Sequence, residues 1–277
     1  MAAFARRLVD ACHLLREDVD LRSAIPPIDQ ERAVAHCVAP VLSVARGRWN
    51  GDRMRVMTDG IGLLVLDGLL IRRVGVDGRF GAELLGPGDL LRPWQGEDIY
   101  SSLLHTTGWR VVEPARLAVL DGSVAANVAQ YPSLIGALAG RALNRARRLA
   151  LMMAIIHHPR IATRLHMLLW HLADRWGRVR PDGIVVQLRL SHTVLADLIA
   201  AQRPSVTGSL GSLAGHGLIC PLEGGWLLRG DPPSELLELQ DVAIRTEART
   251  SSARSASHAP RSGDGDRDPI GYVLRSS

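Results

Sequence analysis

The chain has 277 residues; its 33 basic residues are all arginine and stand against 28 acids, for a formal charge of +5. Apolar residues make up 47%, which excludes a wholly disordered chain, and the length allows a sizeable core and about two domains. Three scattered cysteines, Cys12, Cys37 and Cys220, exclude a disulfide scaffold.

With no CxxC spacing, those cysteines read as ordinary buried thiols rather than zinc or iron–sulfur ligands. The N-terminal MAAFARRLVDACHLLRED has no long apolar run behind its charges, so it does not read as a secretory signal. The uncharged stretch 122–140 holds Asn127, Gln130 and Pro132 and is too polar for a membrane span. The expectation is a soluble cytoplasmic protein with no membrane partner.

Residues 1–35 read as short helices interrupted at Pro26-Pro27. From about 36 to 121, short apolar runs alternate with glycine turns: IGLLVLDG, LLIRRVGVDG, FGAELLGPGD and WRVVEPARLAVLD. Such runs predict strands and hairpins, and their even spacing suggests a β-sandwich or barrel. A helix follows. Ile135, Leu138, Ala142, Arg145, Leu149, Met152 and Ile156 recur at heptad spacing, broken only by Arg145. This stripe can pack on the preceding barrel or on a second copy, with Arg141, Arg147 and Arg148 off the seam and in water. His157-His158-Pro159 ends the helix, because the residue before proline avoids the helical region. A second helix, RIATRLHMLLWHLADRW, runs to Gly177. No carboxylate stands near the paired histidines, so no metal is expected; His166 and His171 read as surface or core residues.

Residues 183–229 carry the most informative pattern. GIVVQLRL predicts a strand, and Ser191 can cap a helix over SHTVLADLIA. After a tight turn, a second helix runs from about Pro204 to His216 and stops at Gly217. LICPLEGGWLLRG then predicts a hairpin turning at Gly224-Gly225. Helix, turn, helix and hairpin make a winged helix-turn-helix. Charge agrees: residues 141–231 hold 12 arginines and 5 acids, a net of +7, while the rest of the chain nets −2. A basic region of this kind attracts a phosphate backbone. In such a unit the second helix enters the major groove with its N-terminal residues at the base edges. Here these are Gln202, Arg203, Ser205, Thr207 and Ser209, while Val206 should pack with Leu198, Leu210 and Leu213. Arg203 can donate two hydrogen bonds to guanine. Ser191 and His192 could hold a phosphate at a helix N-terminus. Arg160, Arg164, Arg178, Arg180 and Arg189 are further candidates for phosphate.

These residues resemble the cyclic-AMP receptor protein / fumarate–nitrate regulator (Crp/Fnr) family of bacterial transcription factors over about residues 30–230. LSHTVLADLIAAQRPSVTGSLGSLAGHGLI is similar to the family's helix-turn-helix, with its Arg-x-Ser-Val core. IGLLVLDGLLIRR…GVDGRFGAELLGPGD is similar to its β-roll hairpins, including the Gly-x-Gly-Asp turn at Gly86–Asp89. The resemblance implies an α+β fold with an N-terminal cyclic-nucleotide-binding-like β-roll over 1–130, a dimerisation helix over 131–158 and a C-terminal winged helix-turn-helix over 159–232. Residues 233–277 read as a disordered tail. It also implies a homodimer on double-stranded DNA, with RNA polymerase as a candidate partner and a small-molecule effector unspecified. Two departures stand out. The family's nucleotide cassette, a Gly-Glu pair and then an Arg-Ser pair, is replaced by LLRPWQGEDIYSSLLHTTGWRVV, in which Gly96-Glu97 comes late. The cysteine cluster of the oxygen-sensing members is missing. The expectation is therefore a regulator with a degenerate or altered effector-binding roll and no cofactor; the alternative is a cyclic-nucleotide-responsive regulator with a non-standard cassette. In the recognition helix, Pro204 and Gly208 replace family base readers, so the target sequence should differ. No GxSxG, GxxxxGK[ST] or HExxH stretch occurs, so no catalytic residue is assigned and an enzyme is not expected.

Overall fold

The computed structural model describes residues 10–51, 60–95 and 103–233. The expected disordered tail lies outside the described residues beyond Pro233, as do Gly96-Glu97 and the first nine residues of the predicted N-terminal helices. Residues up to Gly230 belong to one compact unit; of the second unit, from Asp231 on, only 231–233 are described.

The N-terminal segment opens on a strand, β1 (Asp10–His13), where short helices were expected. Three short helices follow: α1 (Leu14–Glu17), α2 (Val19–Ser23) and α3 (Pro27–His36), the last starting at the predicted proline interruption. β2 (Val38–Val44), β3 (Gly47–Trp49), β4 (Gly62–Val76), β5 (Arg79–Leu85), β6 (Leu90–Leu91) and β7 (Thr106–Leu120) complete an antiparallel sheet of order β1-β2-β7-β4-β5. β3 pairs with β7 and β6 with β4. Alternate side chains from both faces of the long β4–β7 ribbon fill two cores, one under the N-terminal helices and one inside the roll around Leu63, Leu70, Leu85 and Val111. Burying each of these leucines stabilises the fold by roughly 1.5–3 kcal/mol.

The sequence suggested two strands separated by a turn at Gly68. The structure has one strand of 15 residues, because the ladder to β7 absorbs Gly68 in irregularities between Val65 and Leu70. Gly68 has φ +86°, and a Cβ there would lie 2.2 Å from the Pro114 carbonyl oxygen. Pro114, with no N–H to give, sits across from this break.

α4 (Gly122–Ala129), capped by Asp121, leads to the long helix α5 (Pro132–His157). The helix is where the heptads predict it, but its inward face differs. Leu134, Leu138 and Ile155 are buried, and Arg141, Arg145 and Arg148 lie on the same side, against the roll. Arg141 and Arg148 are thus not in water as expected: Arg141 pairs with Asp18 through both nitrogens (2.5 and 2.7 Å), and Arg148 with Asp89 (2.5 Å). Arg147 stays exposed and donates to Asn144 Oδ1 (3.1 Å).

α6 (Ile161–Trp176) buries Leu165, Leu168, Leu169 and Leu172. A strand that sequence reasoning missed, β8 (Gly177–Arg180), pairs with β9 (Gly183–Val186). β9 is shorter than the GIVVQLRL run. α7 (His192–Leu198), α8 (Arg203–Gly215) and the hairpin β10 (Ile219–Leu222) and β11 (Gly225–Leu228) complete the winged unit, with sheet order β10-β11-β9-β8. Its core is continuous with the roll: Leu69, Ile71 and Val112 share one cluster with α6, α7 and α8. His166 belongs to that core, 6% exposed, and accepts a bond from Trp170 Nε1 (3.0 Å).

Candidate nucleic-acid interface

α7 and α8 are locked by their apolar sides. Val194, Leu195 and Leu198 of α7 meet Val206, Leu210 and Leu213 of α8, all buried, as the sequence predicts. The turn between them closes at Ala200, a non-glycine at φ +51°, whose neighbour Ala201 bonds back to Ala196. Gln202 is the N-cap of α8 without a side-chain cap bond, and Pro204 stands in its first turn, where a missing N–H costs nothing. The same periodicity that buries Val206 exposes Gln202, Arg203 and Thr207, and leaves Ser205 and Ser209 half-buried on the flank. Gly208, Gly211 and Ser212 continue the open face, and nothing lies within 4 Å of a Cβ built on either glycine. Small residues here let a flat surface approach the helix backbone.

Each candidate side chain has a definite local role. The Ser191 hydroxyl caps α7 by accepting from Val194 N (3.3 Å), as predicted. Thr207 Oγ1 donates to the Arg203 carbonyl (3.2 Å) and lies 2.9 Å from His192 Nδ1. With that hydroxyl proton committed, His192 Nδ1–H is the donor to Thr207. The pair ties the start of α7 to the first turn of α8, so it aims the recognition helix as well as facing outward. Arg203 is exposed at the helix start.

The flanking arginines divide. Arg160, Arg178 and Arg189 are exposed, and Arg189 lies over the wing turn, with Nε 3.0 Å from a Cβ built on Gly224. Arg180 pairs with Asp182 in the β8–β9 hairpin (3.0 Å). Arg164 departs from the expected phosphate role: its guanidinium donates to the His158 and Ile199 carbonyls and braces the end of α5 against α7.

The winged unit is held to the roll by charge as well as by the shared core. Asp89, in the Gly86–Asp89 turn, is 2% exposed and accepts from Arg148 of α5, Arg175 of α6 (2.7 Å) and the Gly86 amide (2.9 Å). Arg175 also donates to the Gly86 and Pro87 carbonyls. Arg73 of β4 reaches Asp197 of α7 at 3.4 Å. Burial pushes the Asp197 carboxyl up from its ordinary value, against the lowering pull of Arg73 and Arg110. Among the described residues no cluster of three or more potential metal ligands occurs, and no helix is long and apolar enough to cross a membrane.

Residues 160–230 match the Crp-like helix-turn-helix domain family. An HTH-type transcriptional regulator of Porphyra purpurea is 30% identical over 103 residues, 37% of this chain. The chain spans 44% of the length of that curated relative. Among solved structures, a CooA variant from Carboxydothermus hydrogenoformans has a TM-score of 0.57 at 15% identity, over 84% of this chain and 97% of that one. A cyclic nucleotide-binding domain containing protein from Listeria monocytogenes gives 0.55 at 15% identity, over 76% and 96%. FixK2 from Bradyrhizobium japonicum gives 0.51 at 16%, over 69% and 93%. At these identities the likeness is one of fold: roll, long helix and winged unit follow in the same order.

Proposed function

We propose that the chain is a Crp/Fnr-type DNA-binding transcription regulator that works as a homodimer on a pseudo-palindromic operator, with an altered effector-binding roll. The observation that carries the reading is the open face of α8: Gln202 and Arg203 at its start, with Ser205, Thr207 and Ser209 along it, standing opposite a fully buried apolar side. Arg203 reads a base edge, guanine being the best match for its fork of donors. Gln202, Ser205 and Ser209 meet neighbouring bases or phosphates. The α7 N-terminus at Ser191 and His192, with exposed Arg160, Arg178 and Arg189, follows the phosphate backbone.

The dimer rests on a second face of α5. Ile135, Ala139, Ala142, Ala146, Leu149, Met153 and Ile156 recur at heptad spacing along the flank of α5 beside the arginine face, and Met153 is 60% exposed. A single chain leaves Ile135, Ala139, Ala142, Ala146 and Met153 exposed; a second copy of α5 would cover them. Domain boundaries follow: a roll over 1–130, the dimer helix over 131–158 and the winged unit over 159–232. Such a regulator works in the cytoplasm and passes its state to RNA polymerase, with no catalytic step of its own.

Arg203→Ala is expected to weaken operator binding by about 1–3 kcal/mol and to relax preference at one base pair in each half-site. Competition titrations with the operator and with random duplex check this. Equal loss on both would remove the base-reading role.

A further inference from the structure

His192 of α7 is half-buried, and Thr207 of α8 is exposed one turn along from Arg203. The Thr207 hydroxyl has a single proton and gives it to the Arg203 carbonyl (3.2 Å). His192 Nδ1 lies 2.9 Å from the same hydroxyl oxygen, so it must carry a proton of its own and donate it. That contact fixes the tautomer. A neutral imidazole has one donor nitrogen and one acceptor nitrogen, so neutral His192 is left with a bare lone pair at Nε2. A phosphate oxygen is repelled by such a lone pair. Only the imidazolium keeps the bond to Thr207 and also offers an N–H and a positive charge to DNA. The neighbouring acids are already taken. α7 packs on α8 and β5. The charged side chain of α8 is Arg203, those of β5 are Arg79 and Glu83, that of α7 is Asp197, and Arg189 stands in the segment before α7. Glu83 is held by Arg145 and Arg72, and Asp197 by Arg73. A phosphate is therefore the anion that an imidazolium here would meet.

Resting on the reading of α8 as the recognition helix, we infer that His192 binds the DNA backbone only as an imidazolium, so that each engaged half-site takes up one proton and duplex affinity falls as pH rises. Thr207 is the positioning residue that makes the contact conditional on that proton. Histidine is the side chain that changes charge between about pH 5 and 8, so the dependence falls in that window. The sign follows from linkage: a complex that holds more protons than its free components loses affinity as pH rises.

The test uses the full chain, a fluorescein-labelled duplex of mixed sequence, and anisotropy titrations at fixed ionic strength from about pH 5.5 to 8.5. A backbone contact carries no sequence information, so a mixed duplex reads it. The logarithm of the affinity is expected to fall with pH, at a slope approaching about −1 per engaged His192. The salt dependence is expected to be steeper at about pH 6 than at about pH 8, by roughly 0.9 in log–log slope per engaged His192. His192→Arg fixes the charge; at about pH 8 it should bind about tenfold more tightly than the unaltered chain, with a shallower pH slope. A misfolded variant cannot produce that gain. Thr207→Val lets neutral His192 place its proton on Nε2, so its slope should also be shallower. A slope absent from the unaltered chain, or unchanged in either variant, overturns the inference and leaves the recognition-helix reading standing. No duplex binding at any pH overturns both.

Discussion

Asp89→Ala is expected to lower stability by about 3 kcal/mol, with a fall in Tm on the order of 10 °C. The carboxylate is 2% exposed and is the common acceptor for Arg148 and Arg175, whose side chains are 32% and 20% exposed. Truncation leaves two partly buried guanidiniums without their anion and the Gly86 amide without its acceptor. Removing one partner of a buried pair costs more than the pair itself contributes, because the remaining charge stays desolvated. The lower end of the usual range applies, since both arginines keep some contact with water. Asp182→Ala supplies the contrast. Its pair with Arg180 is about half exposed on both sides, and its loss should cost under about 1 kcal/mol. Thermal melts of both variants check the difference; equal shifts would show that Asp89 is no hub. Asp89 joins the roll to α5 and α6 at one point.

Ala146→Glu is expected to separate the dimer and reduce operator affinity by about 100-fold or more, because each monomer then holds only one half-site. Ala146 stands mid-way along the heptad stripe of α5 and is exposed. A glutamate there is harmless to the monomer and faces its own copy across a two-fold seam, where like charges repel. Sedimentation equilibrium and gel-shift titrations read the two effects, with the circular dichroism spectrum unchanged. A variant that still sediments as a dimer would place the interface elsewhere.

The winged unit was legible in the sequence because each of its boundaries has local chemistry. Ser191 caps α7, Pro204 opens α8, Gly217 ends it at φ +72° and Gly224 turns the wing at φ +82°. The missed elements lack such signals. β8 consists of Gly177, Arg178, Val179 and Arg180, with Val179 84% exposed, so no alternation marks it. β4 was divided because glycine normally signals a turn, and only the opposed Pro114 on a distant strand shows that Gly68 belongs to an irregular ladder. The inward face of α5 was misjudged for a related reason. Arg141 and Arg148 read as solvent positions and Arg145 as the break in the stripe, and the acids that draw Arg141, Arg145 and Arg148 inward stand 123, 62 and 59 residues away. Nor could local pattern reveal that Arg164 holds two carbonyls, or that His192 and Thr207 satisfy each other across α7 and α8.

Selection of bound duplexes from random DNA by the full chain tests the DNA-reading dimer most directly. The expected product is a dyad-symmetric sequence with half-sites about 10–10.5 base pairs apart, centre to centre, or a multiple of that spacing, and one base pair in each half-site loses its preference in Arg203→Ala. An asymmetric single motif, or enrichment of no sequence at all, would contradict it.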